Sequence, residues 1–144
     1  MESAMNLLPI RLLPGHDLRR ALEAALAERG GGAAFVLSGI GSLAPAILRL
    51  AGATELRTIT ADTEILSLSG SIAVNGSHLH ATVSDAQGAV IGGHVAYGCI
   101  VRTTAEVLLA FLPDWRFSRE HDAATGYDEL VVRPSSQPAT GDGV

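Results

Sequence analysis

Residues 76–94 read GSHLHATVSDAQGAVIGGH, and the shape of the chain is decided there. His78 to Asp85 and Ala89 onward are strand-type residues. Between them Asp85 to Gly88 is a turn with glycine where a left-handed residue is needed. A type I turn closed by Gly88 as a G1 bulge makes a three-residue hairpin loop. Asp85 then faces Ala89, and facing residue numbers sum to 174. His94 falls directly opposite His80, on the same face, and diagonal to His78. A two-residue loop would set His94 opposite Leu79, and a bulge at Gly92-Gly93 would then be needed to restore parity.

His78, His80 and His94 therefore form a candidate metal site. Three imidazoles converging on one face of a hairpin supply three ligands of a tetrahedral site and leave the fourth position open. Neutral imidazole suits zinc, and also nickel, copper or iron. The competing reading is three polar residues sharing a solvated sheet face.

Outward from the hairpin, Thr58, Ile59, Thr60, Ile65, Leu66, Leu68, Ile72 and Val74 are strand-type residues that end at Asn75-Gly76. Downstream, Ala89 to Arg102 and Thr103 to Leu112 read as strand, although the latter also fits a helix. Trp115–Glu120 and Glu129–Arg133 read as closing strands around a turn at 122–126. Upstream, Leu7–Leu13 is a strand broken by Pro14-Gly15. Asp17 caps a helix through Leu18, Leu22, Ala25 and Leu26, which stops at Gly30-Gly31-Gly32. Ala33–Ile40 is a buried strand. Ser42 is read as the cap of a second short helix with Pro45 in its first turn and Ile47, Leu48 and Leu50 as its apolar positions. The order predicts an α+β fold, with a β-α-β-α start followed by a mostly antiparallel sheet. One domain spans 1–133, and the small, polar tail 134–144 is expected to be flexible.

The chain has 144 residues, 47% hydrophobic and 17% charged, which excludes a disordered polymer. No apolar run reaches the ~18 residues of a membrane helix. No basic start precedes a long apolar stretch, and Pro9 interrupts the short one, so no signal peptide is expected. One cysteine, Cys99, excludes an internal disulfide framework and fits a cytoplasmic location. All ten basic residues are arginine and the net charge is −5. That balance argues against tight autonomous binding to duplex DNA.

Other titratable residues stand out less. Glu64 opens an apolar stretch and is a candidate catalytic proton carrier, with a structural ion pair as the commoner role for such an acid. Glu106, His16 and His121 read as surface residues. Cys99 reads as a small core residue rather than a nucleophile, because nothing basic adjoins it in sequence. There is no P-loop, dinucleotide fingerprint or nucleophile elbow.

The blocks EILSLSGS (64–71), HLH (78–80), Gly88, GGH (92–94) and TAEV (104–107), extended by GIGSL (39–43) and REHDAATG (119–126), together resemble the PPC domain family. The name stands for plants and prokaryotes conserved; the domain is also known as domain of unknown function 296. The resemblance covers roughly Leu7 to Val132. It implies an α+β fold with an antiparallel sheet that assembles into homotrimers. It also implies a DNA-binding or regulatory role, because the plant proteins carry the domain behind AT-hooks. No AT-hook segment occurs in this sequence, so what the resemblance transfers is the assembly module, with DNA binding weak or indirect and protein partners as an alternative. A more distant likeness, at the level of fold, is to acetolactate decarboxylase, whose sheet holds zinc on three histidines. It adds a metal-dependent enzyme or small-molecule binder as the alternative.

Overall fold

A computed structural model describes residues 6–137. The elements run β1 (Asn6–Leu12), α1 (Leu18–Glu28), β2 (Ala33–Leu43), β3 (Ala46–Arg49), β4 (Leu56–Ile59), β5 (Thr63–Ala73), β6 (Gly76–Ser84), β7 (Val90–Val95), β8 (Val101–Phe111), β9 (Trp115–Asp122) and β10 (Tyr127–Pro134). Eight strands form one antiparallel sheet in the order β1-β8-β2-β5-β6-β7-β3-β4, and β9 and β10 form a separate hairpin.

The helix forms where the sequence predicts it. Asp17 accepts from the Arg20 amide at 3.1 Å and closes the first turn. Its other carboxylate oxygen accepts from the Gly98 amide at 2.7 Å, which ties the helix start to the loop before β8. Leu18, Leu22 and Leu26 form an i, i+4 stripe that is fully or almost fully buried. The stripe joins the main core cluster together with Leu79, Ala81, Val83, Val107 and Leu109, and α1 packs on β5, β6 and β8. One face of the sheet is thus the core, under a single helix.

A second helix after Ser42 is not present, which corrects the expected β-α-β-α start and shifts the balance from α+β toward mostly β. The Ser42 hydroxyl bonds the Thr103 hydroxyl at 2.6 Å and accepts from the Thr103 amide at 3.1 Å, so it serves sheet partners instead of a helix N-terminus. Beyond the cis Ala44–Pro45 peptide, Ala46 and Leu48 turn inward while Ile47 and Arg49 are only partly buried. Four residues with this alternation bury two side chains as a strand; a lone turn of helix would leave the inter-strand groups of β7 unmet. Strand β8 runs from Val101 through Phe111, which settles the helix-or-strand ambiguity of 103–112. The stretch expected as one strand from Ala89 to Arg102 divides at 96–100, where Gly98 has φ +93°.

The face away from α1 is divided. Cross-strand partners place Leu7, Ala110, Phe35, Ser71 and His78 in one row across five strands. Two bulges lie in β2 and β5, at Leu37 and Leu66, and each extra residue is a leucine turned to solvent. With Ile40 they make the β2–β5 region of this face apolar, each about half exposed. The β6–β7 region of the same face is polar and carries the histidines. The tail expected as flexible falls, in residues 138–144, outside the described residues. Among the described residues no helix is long and apolar enough to cross a membrane.

Candidate metal centre

The hairpin has the three-residue loop. The Gly88 amide donates to the Asp85 carbonyl at 3.0 Å, the Asp85 amide to the Ala89 carbonyl at 3.0 Å, and Gly88 sits at φ +79°. The Asp85 carboxylate accepts from the Gln87 and Ala89 amides at 2.9 Å each and pins the loop. The register follows: Ser84 faces Val90, Thr82 faces Gly92, and His80 faces His94. All three histidines share the outer face of the sheet.

Their rings converge. Centroids of His78 and His80 are 4.8 Å apart, His78 and His94 4.5 Å, and His80 and His94 5.3 Å. One nitrogen from each ring lies within 4.8 Å of the others, and the Nε2 atoms of His78 and His80 are 3.1 Å apart, one ring donating and the other accepting. Three nitrogens around a tetrahedral zinc at ~2.1 Å stand about 3.4 Å apart, close to the spacing found here. The donor set suits zinc, nickel, copper or iron and leaves a position open.

Glycines make the convergence feasible. A Cβ on Gly70 would lie 2.0 Å from the His78 carbonyl, so β5 passes β6 closer than a side chain permits. A Cβ on Gly93 would lie 2.8 Å from the Arg49 carbonyl, so β7 passes β3 in the same way beside His94.

Electrostatics favour neutral rings. Burial, and then the neighbouring His78 and Arg49, lower the His94 pKa from 6.5 to about 4. Burial, then His80 and Arg119, lower that of His78. Both rings are therefore unprotonated at neutral pH, the form that ligates a metal.

Two hollows flank the rings. A cleft of about 460 Å³ opens beside His80 and His94 and is lined by Arg49, Ser67, Ser69, Thr82 and Gly92 among others. A smaller hollow of about 250 Å³ lies against His78 and His80 and includes Arg119 and Glu129. The β9–β10 hairpin reaches it because the Phe117 amide donates to the Gly32 carbonyl at 2.8 Å, the Val74 amide to the Phe117 carbonyl at 3.1 Å, and Asn75 holds both backbone groups of Arg119.

Glu64 is exposed and faces Ser84. It is on the histidine face but four residues from His80 along β6, ~13 Å by rise. Among the described residues it makes no ion pair. Glu106, His16 and His121 are exposed. Cys99 is fully buried; its sulfur accepts from the Ile47 amide and donates to the Ile47 carbonyl, and burial raises its pKa. Arg49, Arg119 and Glu129 escaped the sequence reading. Arg49 falls within the segment expected as a short helix and lies instead on strand β3, while Arg119 and Glu129 arrive from a hairpin distant in sequence.

Comparison with known proteins agrees with this architecture. The bifunctional protein GlmU of Synechococcus sp. strain JA-2-3B'a(2-13) is 48% identical over 131 residues, covering 91% of this chain and 21% of that protein. The chain thus spans about a fifth of that relative. A hypothetical protein from Salmonella enterica superposes with a TM-score of 0.88 at 38% identity, covering 94% of this chain and 98% of that one. A protein of Archaeoglobus fulgidus described as metal-containing superposes with a TM-score of 0.78 at 28% identity, covering 90% and 95%. A candidate DNA-binding protein of Bacteroides thetaiotaomicron shares the fold with a TM-score of 0.77 at 23% identity, covering 88% and 91%. Residues 1–113 match the family profile, and the chain belongs to the Plants and Prokaryotes Conserved (PCC) domain family.

Proposed function

We propose that this chain is a metal-binding assembly module in which His78, His80 and His94 hold a divalent metal, zinc first, and the apolar outer face associates with further copies into a homotrimer. The observation that carries the reading is the convergence of three ring nitrogens within 4.8 Å on one hairpin. The metal-containing description of the Archaeoglobus relative supports it. When bound, such a metal supplies Lewis acidity and lowers the pKa of its water. The exposed leucines Leu37 and Leu66 with Ile40 support the assembly part, because monomers seldom leave such a patch uncovered. Three copies would carry −15, three times −5, so contact with DNA is weak or indirect, with protein partners as an alternative. A cytoplasmic location fits a chain whose single cysteine is buried and unpaired.

The second reading, a metal-dependent enzyme or small-molecule binder, is favoured by one observation. Open space, rather than a plug of side chains, adjoins His80 and His94. In that reading Glu64 and Glu129 are the acids to compare as proton carriers, Glu129 sharing a hollow with two of the histidines.

Elemental analysis of protein purified without an affinity tag, beside His80→Ala, tests the site. His80 faces His94 and hydrogen-bonds His78, so its loss removes the central ligand. The expected result is near-stoichiometric metal in the natural protein and a loss of 10-fold or more in affinity in the variant, with unchanged circular dichroism. Unchanged metal content in His80→Ala would overturn the assignment.

A further inference from the structure

Arg49 stands beside the metal set without belonging to it. It lies on β3 directly opposite His94, in the cross-strand row Ser69, His80, His94, Arg49, Leu56. Residues opposed in this way hold their Cβ atoms ~4.5–5.5 Å apart on one face. Arg49 is partly buried and borders the 460 Å³ cleft. The ion pairs of the described residues occupy Arg19, Arg20, Arg102 and Arg133, and no carboxylate pairs with Arg49. Among the described residues the cleft lining contains no acid: besides Arg49 and the two histidines it holds Ser67, Ser69 and Thr82, Gly92 and Gly93, and the apolar Leu50, Ala51 and Ala81. A half-buried cation without a counter-charge is costly. A divalent metal on the triad would deepen the imbalance, in a chain whose net charge is −5.

The geometry points to Arg49 as the anchor of an anion subsite: the cleft takes a small oxyanion, carboxylate or phosphate, one edge on the Arg49 guanidinium and another oxygen toward the three histidines. This rests on the metal reading for its second contact, but not for its first. Guanidinium offers two parallel N–H donors that match either group bidentately. The Ser69 hydroxyl faces the same space, and the Ser67 and Thr82 hydroxyls, which hydrogen-bond each other, keep one proton between them to donate to the remaining oxygens. The volume accommodates a molecule of a few carbon atoms with room for its waters. Arg119, on the opposite side of the triad, is less suited, because its Nη2 already donates to the Asp128 carbonyl at 2.8 Å and Glu129 lines the same hollow.

Titration calorimetry on the zinc-loaded full chain tests this with oxalate and inorganic phosphate as separate probes, on the natural protein and on Arg49→Gln, Arg49→Lys and Arg119→Gln. Zinc content is measured in every sample. The expected result is binding of one probe or both, weakened roughly tenfold or more in Arg49→Gln at unchanged zinc content, partly restored in Arg49→Lys and little altered in Arg119→Gln. The probe that binds more tightly separates a carboxylate site from a phosphate site. Equal binding by Arg49→Gln and the natural protein, or binding of neither probe at millimolar concentration, would overturn the subsite. If the natural protein takes up no zinc, the metal reading fails by itself. The same titrations on metal-free protein then decide the anchor: Arg49-dependent anion binding sustains it, and absence of binding overturns it.

Discussion

Replacing Gly70 by alanine should detach metal binding from folding, and the size of the effect can be worked out. Gly70 has φ +148°, and an added Cβ would meet the His78 carbonyl oxygen at 2.0 Å. Ordinary contact begins near 3.4 Å, so the two strands must part by 3.4 − 2.0, about 1.4 Å, where β6 presents His78. A metal site tolerates only ~0.2 Å in its bond lengths, and side-chain rotation cannot recover a backbone shift seven times larger without moving the ring off its partners. The positive φ adds about 1–3 kcal/mol of destabilisation. Gly76→Ala separates the two effects. Gly76 has nearly the same φ, +146°, yet its Cβ would meet nothing nearer than Arg119 Cγ at 3.9 Å. We expect both variants to lose stability in urea titrations by the backbone term, and Gly70→Ala alone to lose zinc affinity, by 10-fold or more in a chelator competition at a temperature where circular dichroism confirms the fold. A Gly70→Ala protein that binds zinc within threefold of the natural one, with its β-sheet spectrum intact, would refute the reasoning.

The metal-free protein should weaken in acid: the His94 pKa is about 4 when folded against 6.5 ordinarily, so between those values the unfolded chain holds the proton and the folded chain does not, and stability falls as pH drops from about 6.5 toward 4. Urea midpoints at pH 7 and pH 5 should differ more for the natural protein than for His94→Gln, with solvent around the partly exposed ring trimming the gap. Leu22→Ala, beneath the middle of α1 and fully buried, should cost about 2–5 kcal/mol in the same assay and leave zinc stoichiometry unchanged. Leu37→Glu with Ile40→Glu should convert a trimer to monomer in sedimentation equilibrium; a natural protein that sediments only as monomer would end the assembly proposal.

What the sequence disclosed and what it withheld divide along sequence distance. The 76–94 hairpin was readable because loop geometry and the period of two are local, and Gly88 fixes the count on which the face of His94 depends. Helix α1 was readable for the same reason, through its cap and its i, i+4 leucines. Residues 42–50 depart from the expected helix because a serine followed by a proline carries the signature of a helix start, while the partner that claims the serine, Thr103, lies 61 residues away. The sheet order, the bulges that turn Leu37 and Leu66 outward, and the arrival of Arg49 and Arg119 beside the rings depend on such distant pairings. Their residues carry no periodic signal that could have announced them.

The compactness of the histidine set in sequence bears on how the ion would be acquired. All three rings come from 17 consecutive positions, and closing so short a loop costs the unfolded chain little entropy. The disordered polypeptide can therefore chelate through the same imidazoles, and affinity for the unfolded state subtracts from the stabilisation that binding gives the native one. Zinc should accordingly raise the melting temperature by less than its measured affinity would give for a site gathered from segments far apart in sequence. The same economy lets a nascent chain pick up its ion as soon as residue 94 has left the ribosome, before β8 exists to complete the sheet.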